Sequence, residues 1–193
     1  MLNKPGSEHT EKQNQLSREQ EWAEALQKNR EKVFFDIVGR YKARVYYLVR
    51  NILISHDDAD DAAQNTFIKI WEKLHTFRSE SALYTWIYRI ATNEALTLLR
   101  RRKPGLSLDD VSEELMDTSF SESAWIDGTE TERKLQEAIN KLPLKQKLVF
   151  CLRYFEELNY EQIATITETS VGALKASYFH AVQKIETFLK QSI

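Results

Sequence analysis

Helix breakers are scarce in this chain: five Gly and three Pro in 193 residues. Hairpins and tight loops draw on those two residue types, so few such turns can be built. Long uninterrupted segments favour helices. Inside them, apolar residues recur at three- and four-residue steps, as in Phe34, Ile37, Val38, Tyr41, Val45, Leu48 and Ile52. That spacing puts them on one face of a helix, and the chain reads as all-α. Hydrophobic residues make up 42% and charged residues 29%, which suits one or two small domains.

No run approaches the roughly 18 apolar residues of a membrane span. Met1 to Arg18 is polar, without the apolar core of a signal peptide. The expectation is a cytoplasmic protein with no membrane insertion. The lone Cys151 sits in Leu148-Val149-Phe150-Cys151-Leu152, excludes an internal disulfide and reads as a buried small hydrophobe.

The net charge of −2 hides a division along the chain. Arg78 to Lys103 carries six cations and two acids; Pro104 to Glu132 carries nine acids and no cation. Arg133 to Ile193 carries nine cations and six acids, while the first 77 residues hold twelve of each sign. Two basic modules thus flank an acidic connector.

The expected organisation follows. Residues 1–19 are a polar, disordered N-terminus, and residues 20–103 form a first helical domain. Residues 104–129 are an acidic flexible linker, and residues 130–193 form a second helical domain. A helix begins near Arg18 and runs, with a break, to Ile52. Ser55 to Asp58 starts the next, with Asp57, Asp58, Asp60 and Asp61 where the helix dipole favours negative charge. Ala59, Ala63, Phe67, Ile70, Trp71 and Leu74 make its apolar stripe, and Asp61, Gln64, Asn65 and Ile68 fall largely off it. A third helix runs from about Ser81 to Arg102, ended by Pro104-Gly105. After the linker, a break falls at Leu142-Pro143, with Pro143 expected as a first helical residue. Tyr160 to Ile166 forms a short helix, Thr167 to Ser170 a turn, and a long helix starts at Val171.

Two segments carry the chemistry. From Phe77 to Lys103, aromatics alternate with Arg and Asn and end in Arg100-Arg101-Arg102-Lys103. Flat rings can hold unstacked bases, cations neutralise phosphates, and Asn can read a base edge, so this segment points to opened, single-stranded nucleic acid. Core packing is the alternative for Tyr84 and Trp86. In the last helix, Val171, Leu174, Tyr178, Ala181, Ile185 and Phe188 form the inward stripe, while Gly172, Lys175, Ala176, Phe179, His180 and Gln183 face away. With Ser170 at the N-cap and small residues at Gly172 and Ala176, this pattern fits a helix-turn-helix whose second helix enters a major groove. A helical hairpin with a solvated outer face fits it too.

Taken together, these residues resemble the extracytoplasmic-function group of bacterial RNA polymerase sigma factors in its two-domain form. Asp58-Ala59-Asp60-Asp61-Ala62-Ala63-Gln64-Asn65-Thr66-Phe67 with Trp71 is similar to their polymerase-binding region. Phe77-Arg78 with Tyr84 to Asn93 is similar to the helix that melts and reads the −10 element. Leu142-Pro143, Tyr160 to Ala164 and Ser170 to Lys175 are similar to the module that reads the −35 element. The resemblance implies that Asp58, Asp61, Gln64 and Asn65 meet the clamp helices of the polymerase's largest subunit. It assigns Phe77, Arg78, Ser79, Tyr84, Trp86, Arg89, Asn93, Arg100 and Arg101 to −10 DNA, and Ser170, Gly172, Lys175, Ala176, Phe179 and His180 to −35 DNA. It further implies contact with the polymerase's beta flap, an acidic linker in the active-site cleft, and an anti-sigma factor as regulator. Ser177 and His180 stand where many members carry Arg, so phosphate neutralisation should count for less there.

An ordinary duplex-binding regulator would explain the C-terminal module but neither of the other two. An enzyme is disfavoured: His9, His56, His75 and His180 are scattered, with no metal-ligand spacing, phosphate loop or nucleophile triad. No catalytic residue, metal or cofactor is expected.

Overall fold

The computed structural model describes residues 24–26, 28–53, 55–77, 82–102 and 129–191. Seven α-helices span them: α1 Arg30–Leu53, α2 His56–Lys73, α3 Leu83–Arg102, α4 Glu130–Asn140, α5 Leu144–Tyr154, α6 Tyr160–Thr167 and α7 Val171–Gln191. A 3₁₀ turn, Leu74–Thr76, follows α2, and no strand occurs among the described residues. The all-α expectation from missing breakers holds. The expected disordered terminus, most of the acidic linker, and Arg78, Ser79 and Lys103 lie outside the described residues.

The break expected in the first helix falls at Asn29, whose side chain accepts from Lys32 N–H at 3.0 Å. An Asn placed there satisfies one of the free amides at the start of α1. Ser55 does the same for α2, taking the Asp58 N–H at 3.4 Å. Pro143 differs from expectation. It is the N-cap of α5, φ −52° and ψ 144°, and Leu144 is the first helical residue. The extended ψ lets the chain reverse after Leu142, and the Pro143 carbonyl still accepts from Lys147 N–H at 2.8 Å.

Helices α1, α2 and α3 pack on one another. Ile37, Val45, Val49 and Ile52 of α1, Ile70 of α2, and Ile87, Tyr88, Ala91 and Ala95 of α3 are essentially closed to solvent. Burying a side chain of the Ile or Val size contributes ~1.5–3 kcal/mol, so this seam fixes the three helices. Cross-links stitch its rim: Lys69 pairs with Glu94, Arg102 with Asp58, and the Arg30 guanidinium sits 4.2 Å above the Trp71 ring.

Helices α4 to α7 form the second group, centred on Leu148, Leu152, Ile163, Leu174, Ala181 and Ile185. Phe150 stacks on Tyr178 (5.9 Å, 16°) and Tyr160 meets Tyr178 edge-on. The short helix α6 carries a capping box, in which Asn159 Oδ1 accepts from Gln162 N–H and Gln162 Oε1 accepts from Asn159 N–H. Glu168 ends it in the left-handed region (φ 53°), turning the chain into α7 without a glycine. The two groups touch, α3 on α6 and α1 on α5.

Candidate nucleic-acid interface

On α2 the Ser55 cap and the packing of Ala59, Ala62, Ala63, Thr66 and Ile70 fix which face looks outward. Asp61, Gln64, Asn65 and Ile68 are all exposed, and their spacing of three, one and three places them in one line along the helix. Ile68 is 53% exposed, an apolar contact in the middle of a polar line, and its position off the stripe was its only signal in the sequence. Asp58 stands apart from this line. It is 5% exposed and ion-paired with Arg102, so its carboxylate ties the start of α2 to the end of α3.

On α3 the rings and the polar groups separate. Trp86 is 9% exposed and its ring lies 5.4 Å from that of Phe77, while Tyr88 is 1% exposed. Tyr84 is half-buried, and its hydroxyl accepts from Gln162 Nε2. Facing outward instead are Arg89, Asn93 and Arg100, again on one line at steps of four and seven, with Arg101 exposed beside it. The mixture of rings and cations thus resolves into a core side and a solvent side. Arg89, Arg100 and Arg101 can neutralise phosphates along that side, and Asn93 offers both a donor and an acceptor.

On α7, Ser170 Oγ accepts from Ala173 N–H at 3.3 Å, and Leu174, Ala181 and Ile185 turn inward. Gly172, Lys175, Ala176, Phe179, His180 and Gln183 are all exposed, as their spacing predicted. Phe179 is 58% exposed and touches the His180 ring edge-on at 5.7 Å. Gly172 has open space where a Cβ would stand, so internal packing does not require its smallness. Lys175 Nζ rests 5.7 Å from the Tyr160 ring, which steadies it beside the helix start.

Four polar residues to which the sequence assigned no role in joining the groups lie where the two groups meet: Arg44, Tyr88, Glu156 and Gln162. Tyr88 donates its hydroxyl hydrogen to Glu156, whose carboxyl pKa is raised by burial. Burial, and then the Glu156 bond, also push the Tyr88 phenol upward. No spacing rule marks such pairs, because the partners are 68 and 78 residues apart.

Among the described residues no group of three or more His, Cys, Asp or Glu could hold a metal ion. No described helix is long and apolar enough to cross a membrane. Burial pushes the Cys151 thiol up to about 12, so it is a packing residue and not a nucleophile.

Comparison with known proteins assigns the two groups separately. Residues 37–104 match the family model for Sigma-70 region 2, and residues 132–185 match that for Sigma-70, region 4. An ECF RNA polymerase sigma-E factor of Haemophilus influenzae is 36% identical over 178 residues, covering 87% of this chain and 93% of that protein. The RNA polymerase sigma-H factor of Pseudomonas aeruginosa is 33% identical, over 89% of this chain and 94% of its own. The fold matches that of the sigma factor RpoE solved with the anti-sigma factor NepR from Bartonella quintana. The TM-score is 0.69 at 24% identity, over 82% of this chain and 98% of that one. It also matches CnrH, solved with the cytosolic domain of CnrY, at TM-score 0.66 and 21% identity over 89% of this chain and 96% of that one. The chain belongs to the extracytoplasmic-function sigma factors of the sigma-70 family, and its function is to direct RNA polymerase to promoters.

Proposed function

We propose that the three outward lines divide the work of promoter recognition. The α2 line of Asp61, Gln64, Asn65 and Ile68 docks on the largest-subunit clamp helices of core polymerase, with Asp58 as its buried brace. The α3 line of Arg89, Asn93, Arg100 and Arg101 follows the −10 strand. Trp86 and Phe77 form the wall against which the first opened base rests, and Arg78 and Ser79 belong to the same loop. The α6–α7 pair acts as a helix-turn-helix, with Ser170, Gly172, Lys175, Ala176, Phe179 and His180 against the −35 major groove, while this second domain also meets the beta flap.

In this reading residues 20–103 and 130–193 are the two domains, and 104–129 joins them through the polymerase cleft. The protein is a non-enzymatic, cytoplasmic subunit that takes no cofactor, and an anti-sigma factor is its expected regulator. The observation that carries the reading is the α3 segregation: a helix that buries its rings and lines up Arg89, Asn93 and Arg100 has a face built for a phosphate backbone.

The test is run-off transcription with core polymerase and DNA from upstream of the protein's own gene. Asp61→Ala should weaken core binding by roughly tenfold, the scale of one lost charged hydrogen bond at ~1.4 kcal/mol. Arg89→Ala with Asn93→Ala should leave core binding intact and abolish permanganate-detected melting. Core binding that survives Asp61→Ala with Gln64→Ala unchanged would remove the α2 assignment. Sequence-specific duplex binding by the free chain, without polymerase, would favour an ordinary regulator.

A further inference from the structure

Helix α7 is longer than the duplex groove it is proposed to enter. Its 21 residues span about 32 Å at ~1.5 Å each, against a major groove about 12 Å wide. If its first turns read bases, its later turns must pass the sugar–phosphate wall. The outward face of those first turns carries one full cation, Lys175, among Gly172, Ala176, Phe179, His180 and Gln183. A single lysine neutralises about one phosphate, too little to hold a helix in a groove at ordinary salt.

The later turns of α7 border a groove of about 770 Å³ against the end of α4. Two lysines from different helices line it: Lys141, the C-cap of α4, and Lys184 of α7. His180, Gln183, Glu186 and Phe188 line it too. His180 and Gln183 also belong to the outward face, so face and groove are continuous. Lys184 stands one turn beyond His180, about 6 Å further along the axis. Lys141 Nζ lies 4.1 Å above the Phe188 ring, which holds the ammonium at the groove wall. Among the described residues neither ammonium has an ion-pair partner, while the acid Glu186 is engaged by Lys190 at 3.8 Å. Cations gathered in one concavity repel each other and focus a positive field there, and an anion relieves both.

We propose that the α4–α7 groove holds the DNA backbone flanking the −35 element, with Lys141 and Lys184 each neutralising one phosphate. The flank of α7 thereby supplies the charge that its reading face lacks. This deepens the promoter reading above and rests on it.

Holoenzyme made with the full chain is titrated onto DNA from upstream of its own gene, between about 50 and 200 mM salt. With Lys141→Gln and Lys184→Gln together, the slope of log affinity against log salt should become shallower by about 1.8, at ~0.9 per phosphate. Affinity near 0.15 M should fall by roughly thirtyfold, and by the same factor on DNA with an altered −35 sequence. Lys184→Gln alone, at an exposed position, should give half the slope change, and Lys141→Arg with Lys184→Arg should keep the wild-type slope. An unchanged slope in the Gln pair overturns the proposal. So does an equal loss from Lys32→Gln with Lys42→Gln, which removes the same charge from α1. The free chain on an unrelated duplex of about 30 base pairs, at low salt, repeats the measurement without polymerase. Holoenzyme that initiates nowhere would sink the promoter reading, while the free-chain slope still decides the groove. Unchanged slopes on both DNAs, with inorganic tripolyphosphate shifting the Lys184 amide resonance, would assign the groove to a small anion and refute the backbone contact.

Discussion

Lys147 shows how far a single residue can depart from its type. It lies in the core of the second group at 4% exposure, and burial pulls its ammonium down to about 8 from 10.5. Below pH 8 the amine is charged whether the chain is folded or not, and the folded state bears the full desolvation penalty. Between about pH 8 and 10.5 the folded amine is neutral while the unfolded one is still protonated, so stability rises with pH through that window. A shift of this size corresponds to about 3 kcal/mol at ~1.36 kcal/mol per pH unit. Lys147→Met should therefore be more stable at pH 7 by roughly 2–3 kcal/mol. The advantage should shrink towards pH 10.5, as followed by urea unfolding at each pH.

At the scale of the element, caps and stripes decide where helices start and which way they face. Asn159 and Gln162 cap the start of α6 reciprocally, and Gln162 also reaches Tyr84 with its amide nitrogen. Asn159→Ala should lower stability by about 1 kcal/mol, seen as a lower urea midpoint with an unchanged slope. The Asn159–Gln162 box was not read from the sequence, whereas the Ser55 and Ser170 caps and the apolar stripes were. The stripes of α2 and α7 were readable because period 3.6 alone separates Ala59, Ala63 and Ile70 from Asp61, Gln64 and Asn65. The same rule set Leu174 and Ile185 against Lys175 and Phe179. On α3 the rule said less. Phe77, Tyr84, Trp86 and Tyr88 are amphipathic, and composition does not tell whether a ring packs or waits for a base. Packing sends Tyr88 fully inward and Trp86 nearly so, leaving Arg89, Asn93 and Arg100 outside. Pro143 was misplaced by one residue, because an N-cap and a first helical turn both accept a residue without an N–H.

For the whole molecule, what the sequence hid is the meeting of its two halves. Tyr41 and Tyr88 meet edge-on at 6.3 Å beside Glu156, and buried residues of both halves form one hydrophobic cluster. Wild type should consequently unfold in a single calorimetric transition, with matching calorimetric and van't Hoff enthalpies. Glu156→Gln should separate it into two. Two transitions in wild type would mean that the halves are thermally independent.

The connector length has a consequence for anything that would compete with the contact between the two groups. Residues 103–128, 26 in number, reach at most about 90 Å at ~3.5 Å each, which confines each half to a sphere around the other, equivalent to at least about half a millimolar of its partner. A seam with a dissociation constant in the tens of micromolar, negligible between separate proteins, would thus keep most molecules shut. A regulator present at one micromolar must bind a covered face several hundred-fold more tightly than the halves bind each other to displace them. One that clasps both halves as they stand meets no such competition.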